Sequence, residues 1–384
     1  MIIVYEPVCT GFEHANFNAL FISAIYNIIK DKILFISEHE HGLLVKERIS
    51  LFSSDLLLSN IFFEDRDNKV YNSKIQKFFC AYGQYNKLLK RANSLDVKTI
   101  ILTVTRKYEL VIINQLAKNC GIKILMLFHA HLNAIIGSNL YKSYIRKHTC
   151  KNVGYIVLSN SIKEAIYMMI PSLALHNQVL SFRNALLLNK ILFKKTVDQS
   201  KIKFGFIGIA TRDKGITQVK NIVTHCQRPN TEFHYCGLLQ NNKIKKEIEK
   251  IGVLIHGGEK PLSYPEYESA IQNLDYVILL LSSNYYKYRV SGTLWDAINN
   301  EKPIIALRTS YIDEVFNEFG DIGYMANDEK DICIIIREIS EDFNQTEYNK
   351  KVEKIRFMKT KLTPEFIASE FKKQYKMFVN LDIL

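Results

Sequence analysis

The stretch Tyr288-Arg289-Val290-Ser291-Gly292-Thr293-Leu294-Trp295-Asp296-Ala297, continuing as Ile298-Asn299-Asn300-Glu301-Lys302-Pro303-Ile304-Ile305-Ala306-Leu307, reads as a loop, a helix and a strand. Before it, the run Tyr276-Val277-Ile278-Leu279-Leu280-Leu281 is apolar at every position. That is the pattern of a strand buried on both faces. Ser282, Ser283 and Asn284 stop it. Ser291 and Gly292 fall where the helix begins. Small residues there leave backbone N–H groups unpaired, and those groups, with the helix dipole, attract an anion. Arg289 adds a cation beside them. A buried strand, a small-residue helix start and an arginine together predict a phosphate site.

The same rhythm extends in both directions. Strands are expected at 2–5, 33–36, 61–63, 99–103, 123–128 and 154–158, with helices at 16–30, 72–93, 108–120 and 159–169. The pattern is broken by the stretch 183–199, which ends polar. It restarts with strands at 203–207, 232–236, 253–256, 276–281, 303–307 and 322–324, and helices at 215–225, 241–251, 264–273, 293–300 and 312–319. Helical patterns at 328–342 and 347–359 follow. A last helix over 364–379 has Thr363 as its N-cap and Pro364 at its first position, where the missing proline N–H costs nothing. Such alternation predicts an α/β fold of parallel sheets covered by helices. At 384 residues the chain is long for one core, so two such domains facing across a cleft are expected. Ligands bind outside the carboxyl ends of parallel strands, so polar residues just after strands are the candidates.

Composition excludes several classes. A hydrophobic fraction of 47% with 23% charged residues is that of a globular protein. No run reaches the length of a transmembrane helix, and Met1-Ile2-Ile3-Val4-Tyr5-Glu6-Pro7 lacks the basic start of a signal peptide. Seven cysteines without a Cys-x-x-Cys pair predict reduced thiols in a cytoplasmic protein and no zinc site. The net charge of +12 suits anionic partners: nucleic acid, an acidic membrane surface or phosphorylated small molecules. Lysines and arginines are spread along the chain, with small clusters at 142–151 and 190–203. No helix-turn-helix, zinc finger or RNA-recognition signature accompanies them, so nucleic acid is not an expected partner.

Four segments after strands carry candidate chemistry. The first is Thr10-Gly11-Phe12-Glu13-His14. There Gly11 lets the backbone approach a ligand, and Glu13 and His14 stand at a helix start. A loop with a capping carboxylate is the plainer reading. In His129-Ala130-His131 a histidine at a strand's carboxyl end can donate to a sugar hydroxyl or do acid–base work. The two, at i and i+2, point to one side of a strand, but further metal ligands are missing. In Gly208-Ile209-Ala210-Thr211-Arg212-Asp213-Lys214-Gly215 a glycine and two cations suit a diphosphate. Neither Walker nor Gly-x-Gly-x-x-Gly spacing is present, which weighs against an ATPase or a dehydrogenase. His256-Gly257-Gly258-Glu259-Lys260-Pro261 offers either a bare backbone for a planar base or a plain turn.

Taken in order, these positions resemble retaining glycosyltransferases of the GT-B fold, the large family 4 group in particular. The Thr10–His14 loop looks like the family's Gly-Gly-x-Glu-Arg loop, with His14 in the arginine's place. Leu127-Phe128-His129 looks like the strand-end histidine that contacts the transferred sugar, and residues 156–164 look like the last strand-and-helix unit of the acceptor domain. Gly208 and Lys214-Gly215 match the Gly-Arg…Lys-Gly element, with Ile209 in the arginine's place and Arg212 as its substitute. Residues 264–281 and 291–307 resemble the helix–strand–helix–strand unit that holds the nucleotide. The family carries Glu-x(7)-Glu there, and Tyr288 and Asp296 stand at those two positions.

The resemblance implies a fold of two Rossmann-like parallel-sheet domains. Residues 1–185 would bind the acceptor, 186–200 link the domains, 201–362 bind the nucleotide-sugar donor, and 363–384 form a C-terminal helix crossing back to the first domain. It implies a hexosyltransferase-like enzyme that moves a sugar from a nucleotide-diphosphate donor to a cell-surface glycan or lipid-linked acceptor, retaining, without metal or other cofactor. Capsule or lipopolysaccharide synthesis is the implied setting. The catalytic candidates are Glu13, His14 and His129. The donor-binding candidates are Gly11, Gly208, Arg212, Lys214, His256, Gly257, Tyr288, Arg289, Ser291, Gly292, Thr293 and Asp296. A GT-B-like transferase of polyol phosphates for wall or capsule polymers is the alternative. A non-enzymatic two-domain binder is weaker, because a signal peptide is missing and the cysteines look reduced. The expected location is the cytoplasm, with an anionic membrane face as a further partner. The apolar helix 16–30, with its basic end, suits docking there, although packing in the first domain's core is the favoured reading of that helix.

Overall fold

Strands that are apolar on both faces need helices on both sides, and a parallel sheet supplies them through its crossovers. The computed structural model of the chain describes residues 1–52, 55–66, 73–129, 131–186, 196–239, 241–282 and 284–379. The chain divides into two compact units, Met1–Leu187 with Leu362–Leu384, and Leu188–Lys361. Of the expected linker 186–200, residues 187–195 lie outside the described residues. So do Asn72, the expected start of a helix, and Ser283, an expected strand stop.

The first unit has strands β1 Ile2–Tyr5, β2 Ile33–Ser37, β3 Ile61–Asp65, β4 Thr99–Leu102, β5 Lys123–Leu127, β6 Val153–Val157 and β7 Val179–Ser181. They form one parallel sheet in the order β3-β2-β1-β4-β5-β6-β7. Val4 of β1 lies between Phe35 of β2 and Ile101 of β4. The three-residue β7 is too short to show a period and was not expected. Its open edge is closed by a side chain. Gln374, on the helix Pro364–Val379, accepts from Ser181 N at 3.0 Å and donates from Nε2 to Ser181 O at 3.1 Å, as a neighbouring strand would. That helix also buries Phe371 and Phe378, worth about 3–6 kcal/mol together by area removed from water.

The helix Pro364–Val379 packs on the helix Ala15–Ile29, whose Phe21, Ile22, Ala24 and Ile25 are fully buried. The apolar character of residues 16–30 is core packing, the favoured reading of that helix. No described helix is long and apolar enough to cross a membrane. Helices His39–Phe52 and Asn139–His148 were not expected. His39–Phe52 mixes histidines and charges among its apolar positions, which blurs its periodicity, and Asn139–His148 is short and mostly polar.

The second unit has strands β8 Ile202–Ile207, β9 Thr231–Leu238, β10 Leu254–Gly258, β11 Tyr276–Leu279, β12 Ile304–Leu307 and β13 Gly323–Ala326. Their order is β10-β9-β8-β11-β12-β13, again all parallel. Phe204 stacks between Phe233 and Tyr276 in its core. Two expected ends shift. β11 stops at Leu279, and Leu280 and Leu281 stay buried beyond it. β10 runs on through Gly257 and Gly258, so this pair closes a strand and does not form a turn after it.

Part of the positive charge is internal. Lys302, 5% exposed, donates to the carbonyls of Gln272 and Leu274, both at 2.7 Å. It thereby caps the carboxyl end of the helix Tyr264–Gln272, where the dipole favours a cation. Lys359 and Arg356 share the buried Glu301 carboxylate at 3.4 and 2.7 Å.

In both sheets the chain builds three strands in one direction and then crosses to the other side of the first. The reversal falls between β1 and β4 in one unit and between β8 and β11 in the other. Beside the second reversal, β8, β9 and β10 end at glycines of positive φ: Gly208 at 94°, Gly237 at 143° and Gly257 at 104°. A Cβ on Gly237 would lie 2.2 Å from Gly208 O, and one on Gly257 would lie 2.5 Å from Gly237 O. The three strand ends therefore approach as bare backbone. Gly237→Ala is expected to cost about 2–4 kcal/mol, through a strained φ and a clash with backbone. Gly83→Ala, inside the helix Lys74–Ser94 with nothing within 4 Å of an added Cβ, is expected to gain about 0.5–1 kcal/mol. Denaturant midpoints of the two variants test the contrast, and equal shifts would refute the close-approach account.

Candidate functional site

The strand-order reversal between β8 and β11 is bordered by residues 208–215 after the one strand and by 280–282 and 284–293 after the other. Gly208 is the point where they meet. A Cβ there would lie 2.6 Å from Thr293 Cγ2 and 3.3 Å from Lys214 Nζ. The absence of a side chain lets a cation from one segment and the helix start of the other converge. The short helical turn Arg212–Lys214 is capped by Thr211, whose Oγ1 accepts from Lys214 N at 3.3 Å. Gly215 ends the turn with φ 71°, and a Cβ on it would lie 2.3 Å from Leu280 Cβ.

Asp296 lies one turn inside the helix Gly292–Asn299 and accepts from the Tyr267 hydroxyl at 3.0 Å. Burial pushes the Asp296 carboxyl up to about 6, against the Tyr267 bond and the Lys214 charge, with Glu268 adding a smaller push upward. Burial likewise holds the Lys214 ammonium below its usual range, and the attraction of Asp296 partly restores it. Each charge is costly where it sits and made tolerable by the other.

The helix begins at Gly292 with Ser291 as its N-cap, as expected, but the Ser291 side chain makes no capping bond. Its Oγ lies 2.7 Å from Thr293 Oγ1. Arg289 lays its guanidinium over the Tyr285 ring, 3.9 Å from the centroid. Its Nε is buried without a hydrogen-bond partner among the described residues. Tyr288 is half-buried, with Lys287 over its ring at 5.4 Å. Arg212 and Gly292 are exposed. His256 is engaged with a neighbour in the sheet: its Nε2 lies 2.9 Å from Nδ1 of the buried His234, which in turn meets Glu232 at 2.7 Å. With Gly257 it lines an open groove along the helix Tyr264–Gln272. Sequence reasoning missed Tyr267, Gly237 and Tyr285. Gly237 alone carried a usable signal, a glycine at the end of an expected strand.

In the first unit, residues 7–14 follow β1. Gly11 and His14 both have positive φ, 51° and 53°, and His14 heads the helix Ala15–Ile29 without a side-chain cap bond. The His14 and His129 rings meet edge to face at 4.5 Å, and Phe17 lies parallel to His129 at 6.3 Å. Glu13 is exposed. β5 ends at Leu127 and His131 heads the short helix Leu132–Ile136. His129 and His131 therefore do not share one side of a strand, which corrects that expectation. The loop is anchored by residues that sequence reasoning passed over. Glu6, fully buried, accepts from Val8 N and Cys9 N at 2.8 Å, from Asn18 Nδ2 at 3.2 Å and from Thr103 Oγ1 at 2.6 Å. Gly11 N donates to Glu38 Oε2 at 3.2 Å, and His41 Nδ1 lies 2.8 Å from Gly11 O. Among the described residues no cluster of three or more His, Cys, Asp or Glu side chains has metal-binding geometry.

Comparison with solved structures gives the fold a name. The chain is similar to a glycosyltransferase from Rickettsia africae, at 13% identity, with 98% of each chain covered and a TM-score of 0.71. It is similar to Anabaena HepE in complex with UDP, at 12% identity, over 98% of this chain and 99% of that one, with a TM-score of 0.67. It is also similar to sucrose-phosphate synthase from Thermosynechococcus elongatus, at 13% identity, 98% coverage of each chain and a TM-score of 0.67. No family model matches the chain, and no curated protein matches it. The two parallel sheets and these neighbours define the GT-B fold.

The Asp296 environment makes a pH prediction. The folded state holds the Asp296 proton more tightly than the unfolded state, so this group's contribution to stability falls as pH rises from about 4 through 6. Asp296→Asn removes that dependence. The stability of the wild type relative to Asp296→Asn is expected to drop by about 2–3 kcal/mol between pH 4 and pH 8. Paired denaturation curves across this range measure it. A difference that stays constant with pH would show that Asp296 is not held in this way.

Proposed function

We propose that the chain is a glycosyltransferase that moves a sugar from a nucleotide-diphosphate donor to a glycan or lipid-linked acceptor, by a retaining, metal-independent route. The observation that carries this reading is the convergence of Gly208, Lys214, Thr293 and Asp296 where β8 and β11 diverge in a GT-B fold. Rossmann-order sheets bind nucleotides at that point. HepE, a structural neighbour, is known in complex with UDP, which supports a nucleoside diphosphate as the ligand class.

In this reading the departing diphosphate gathers charge as the glycosidic bond breaks. Lys214, Arg289 and the amides of Gly292 and Thr293 stabilise that charge with fixed donors. Arg212, exposed on the adjoining turn, and Tyr288 extend the same surface. Asp296 keeps Lys214 cationic and offers its second oxygen to a ribose hydroxyl. The bare backbone of Gly208, Gly237 and Gly257 gives the nucleoside a flat floor, with His256 at its far edge. On the acceptor side, the paired His14 and His129 contact the sugar, and Glu13 and Gly11 complete the loop. Retention needs no protein base when the leaving phosphate assists the incoming hydroxyl. The acidic substrates and products of such a reaction fit the net charge of +12. A cytoplasmic enzyme working at the inner membrane face, in capsule or lipopolysaccharide synthesis, is the setting we assign.

Thermal-shift measurements with UDP, GDP and CDP test the ligand class, and one of them is expected to raise the midpoint. Lys214→Ala and Arg289→Ala are expected to leave the unliganded midpoint within a few degrees. They should abolish the nucleotide shift and lower kcat about 100- to 1000-fold, the scale of losing one charge-stabilising donor. Full binding and turnover in both variants would overturn the diphosphate assignment.

A further inference from the structure

The anchoring of the Gly11–His14 loop turns on one histidine that belongs to neither candidate set. His41 is fully buried at the start of the helix His39–Phe52. Both of its ring nitrogens are engaged: Nδ1 lies 2.8 Å from Gly11 O, and Nε2 lies 2.9 Å from Asn18 Nδ2. Its backbone N donates to Glu38 Oε2 at 2.9 Å, and the same oxygen receives Gly11 N. His41 and Glu38 therefore grip Gly11 at its carbonyl and its amide.

The hydrogen-bonding capacities of these groups fix the proton positions. A carbonyl oxygen only accepts, so Nδ1 must carry a proton to bond Gly11. Asn18 Nδ2 also lies 3.2 Å from Glu6 Oε2. A carboxylate only accepts, so the Asn18 amide must turn its NH2 toward Glu6, and that NH2 then meets His41 Nε2. Burial pushes the Glu6 carboxyl up, but the bonds from Thr103, Cys9, Val8 and Asn18 outweigh it and hold it below its usual range. Glu6 is thus ionised, and its charge orients Asn18. Asn18 in turn leaves Nε2 of His41 as an acceptor.

We propose that His41, held as the neutral Nδ1–H tautomer by the Glu6–Asn18 relay, is the positioning residue for the Gly11–His14 loop, and that it sets where His14 stands against His129. This rests on the reading of that loop as the acceptor-side part of a transferase. Gly11 and His14 both sit at positive φ, a conformation that a side chain rarely adopts without support. The bonds that His41 and Glu38 make to the carbonyl and amide of Gly11 supply such support at the head of the loop. A displacement of about 1 Å at such a position costs about 100-fold in rate when reacting groups must align.

Three variants test this in the full chain. Asparagine can place an amide N–H where Nδ1–H was, so His41→Asn is expected to keep kcat within about threefold. His41→Phe fills the space next to Phe35 but has no donor, and its kcat is expected to fall about 100-fold. The thermal shift given by whichever of UDP, GDP and CDP stabilises the wild type should be unchanged, because the proposed nucleotide contacts lie in the other unit. Asn18→Ala should fall between the two. Long-range proton–nitrogen correlation spectra of the histidines, assigned by loss of one signal in His41→Asn, give a readout that does not depend on turnover. A neutral Nδ1–H ring supports the proposal. An Nε2–H ring, or wild-type kcat in His41→Phe, overturns it. If the wild type binds no nucleotide and transfers no sugar, the functional reading fails, and the spectra still decide the relay.

Discussion

Parallel strands cannot be joined by tight turns. Each needs a crossover long enough to carry a helix back along the sheet. This constraint dictates most of the chain. It demands strands covered on both faces, and β1, β2, β4, β5 and β6 are buried at every position. It also places every strand's carboxyl end on one edge of the sheet, so the loops that leave those ends form one continuous rim. Where the strand order reverses, neighbouring crossovers go to opposite faces and the rim opens. The candidate nucleotide groups, Gly208 with Lys214 after β8 and Thr293 with Asp296 after β11, lie at one such opening. Glu6 after β1 and Thr103 after β4 lie at the other and bond each other at 2.6 Å. The two units solve the same topological problem and fill the opening differently. One brings a buried cation against a bare glycine. The other closes the opening with a buried carboxylate.

How legible this was depends on what each signal measures. Buried parallel strands announce themselves as apolar runs, and the expected strand centres coincide with the observed ones in both units. The exceptions have physical causes. β7 is three residues long and gains its stability from the Gln374 amide, 193 positions away in sequence. The helix His39–Phe52 carries histidines and charges where a simple apolar stripe is expected, and Asn139–His148 is short and mostly polar. Leu280 and Leu281 are buried by packing beyond the strand, so hydrophobicity alone overran its end. The helix Ala15–Ile29 shows a related ambiguity. An apolar helix with a basic end is compatible with a membrane or with a core, and only its contact with Pro364–Val379 decides between them.

The charge balance shows the same dependence on tertiary context. A net charge of +12 reads as a basic exterior, yet Lys302, Lys351 and Lys359 are buried and satisfied by carbonyls or carboxylates. Lys214 differs from them in its partner. Burial draws it below its usual pKa, as it does Lys359, but its neighbour Asp296 is itself raised, so the pair stays under electrostatic tension. A structural cation ends up with short bonds to acceptors, as Lys302 does. A cation held beside a bare glycine, opposite a helix start, has a charge to share with a ligand. No sequence pattern separates the two lysines. Their surroundings do.

The Thr10–His14 loop carries this point furthest. Glycine and histidine in Thr10–His14 could be noticed because unusual residues mark unusual backbone. The groups that hold them could not, since Glu6, Asn18, Glu38 and His41 are spread over 36 positions on a strand end, a helix interior and a helix start. None has a diagnostic spacing from another. What joins them is a sequence of donor and acceptor capacities, each leaving the next group one choice. A carboxylate that can only accept turns an amide, the amide fixes a tautomer, and the tautomer presents a proton to a carbonyl. Such logic is local in space and scattered in sequence, so it becomes visible only when the fold has brought its members within 3 Å or so of one another. In the proposed reading, residues of this kind bear on chemistry without touching substrate, because they decide whether the groups that do touch it stand in register.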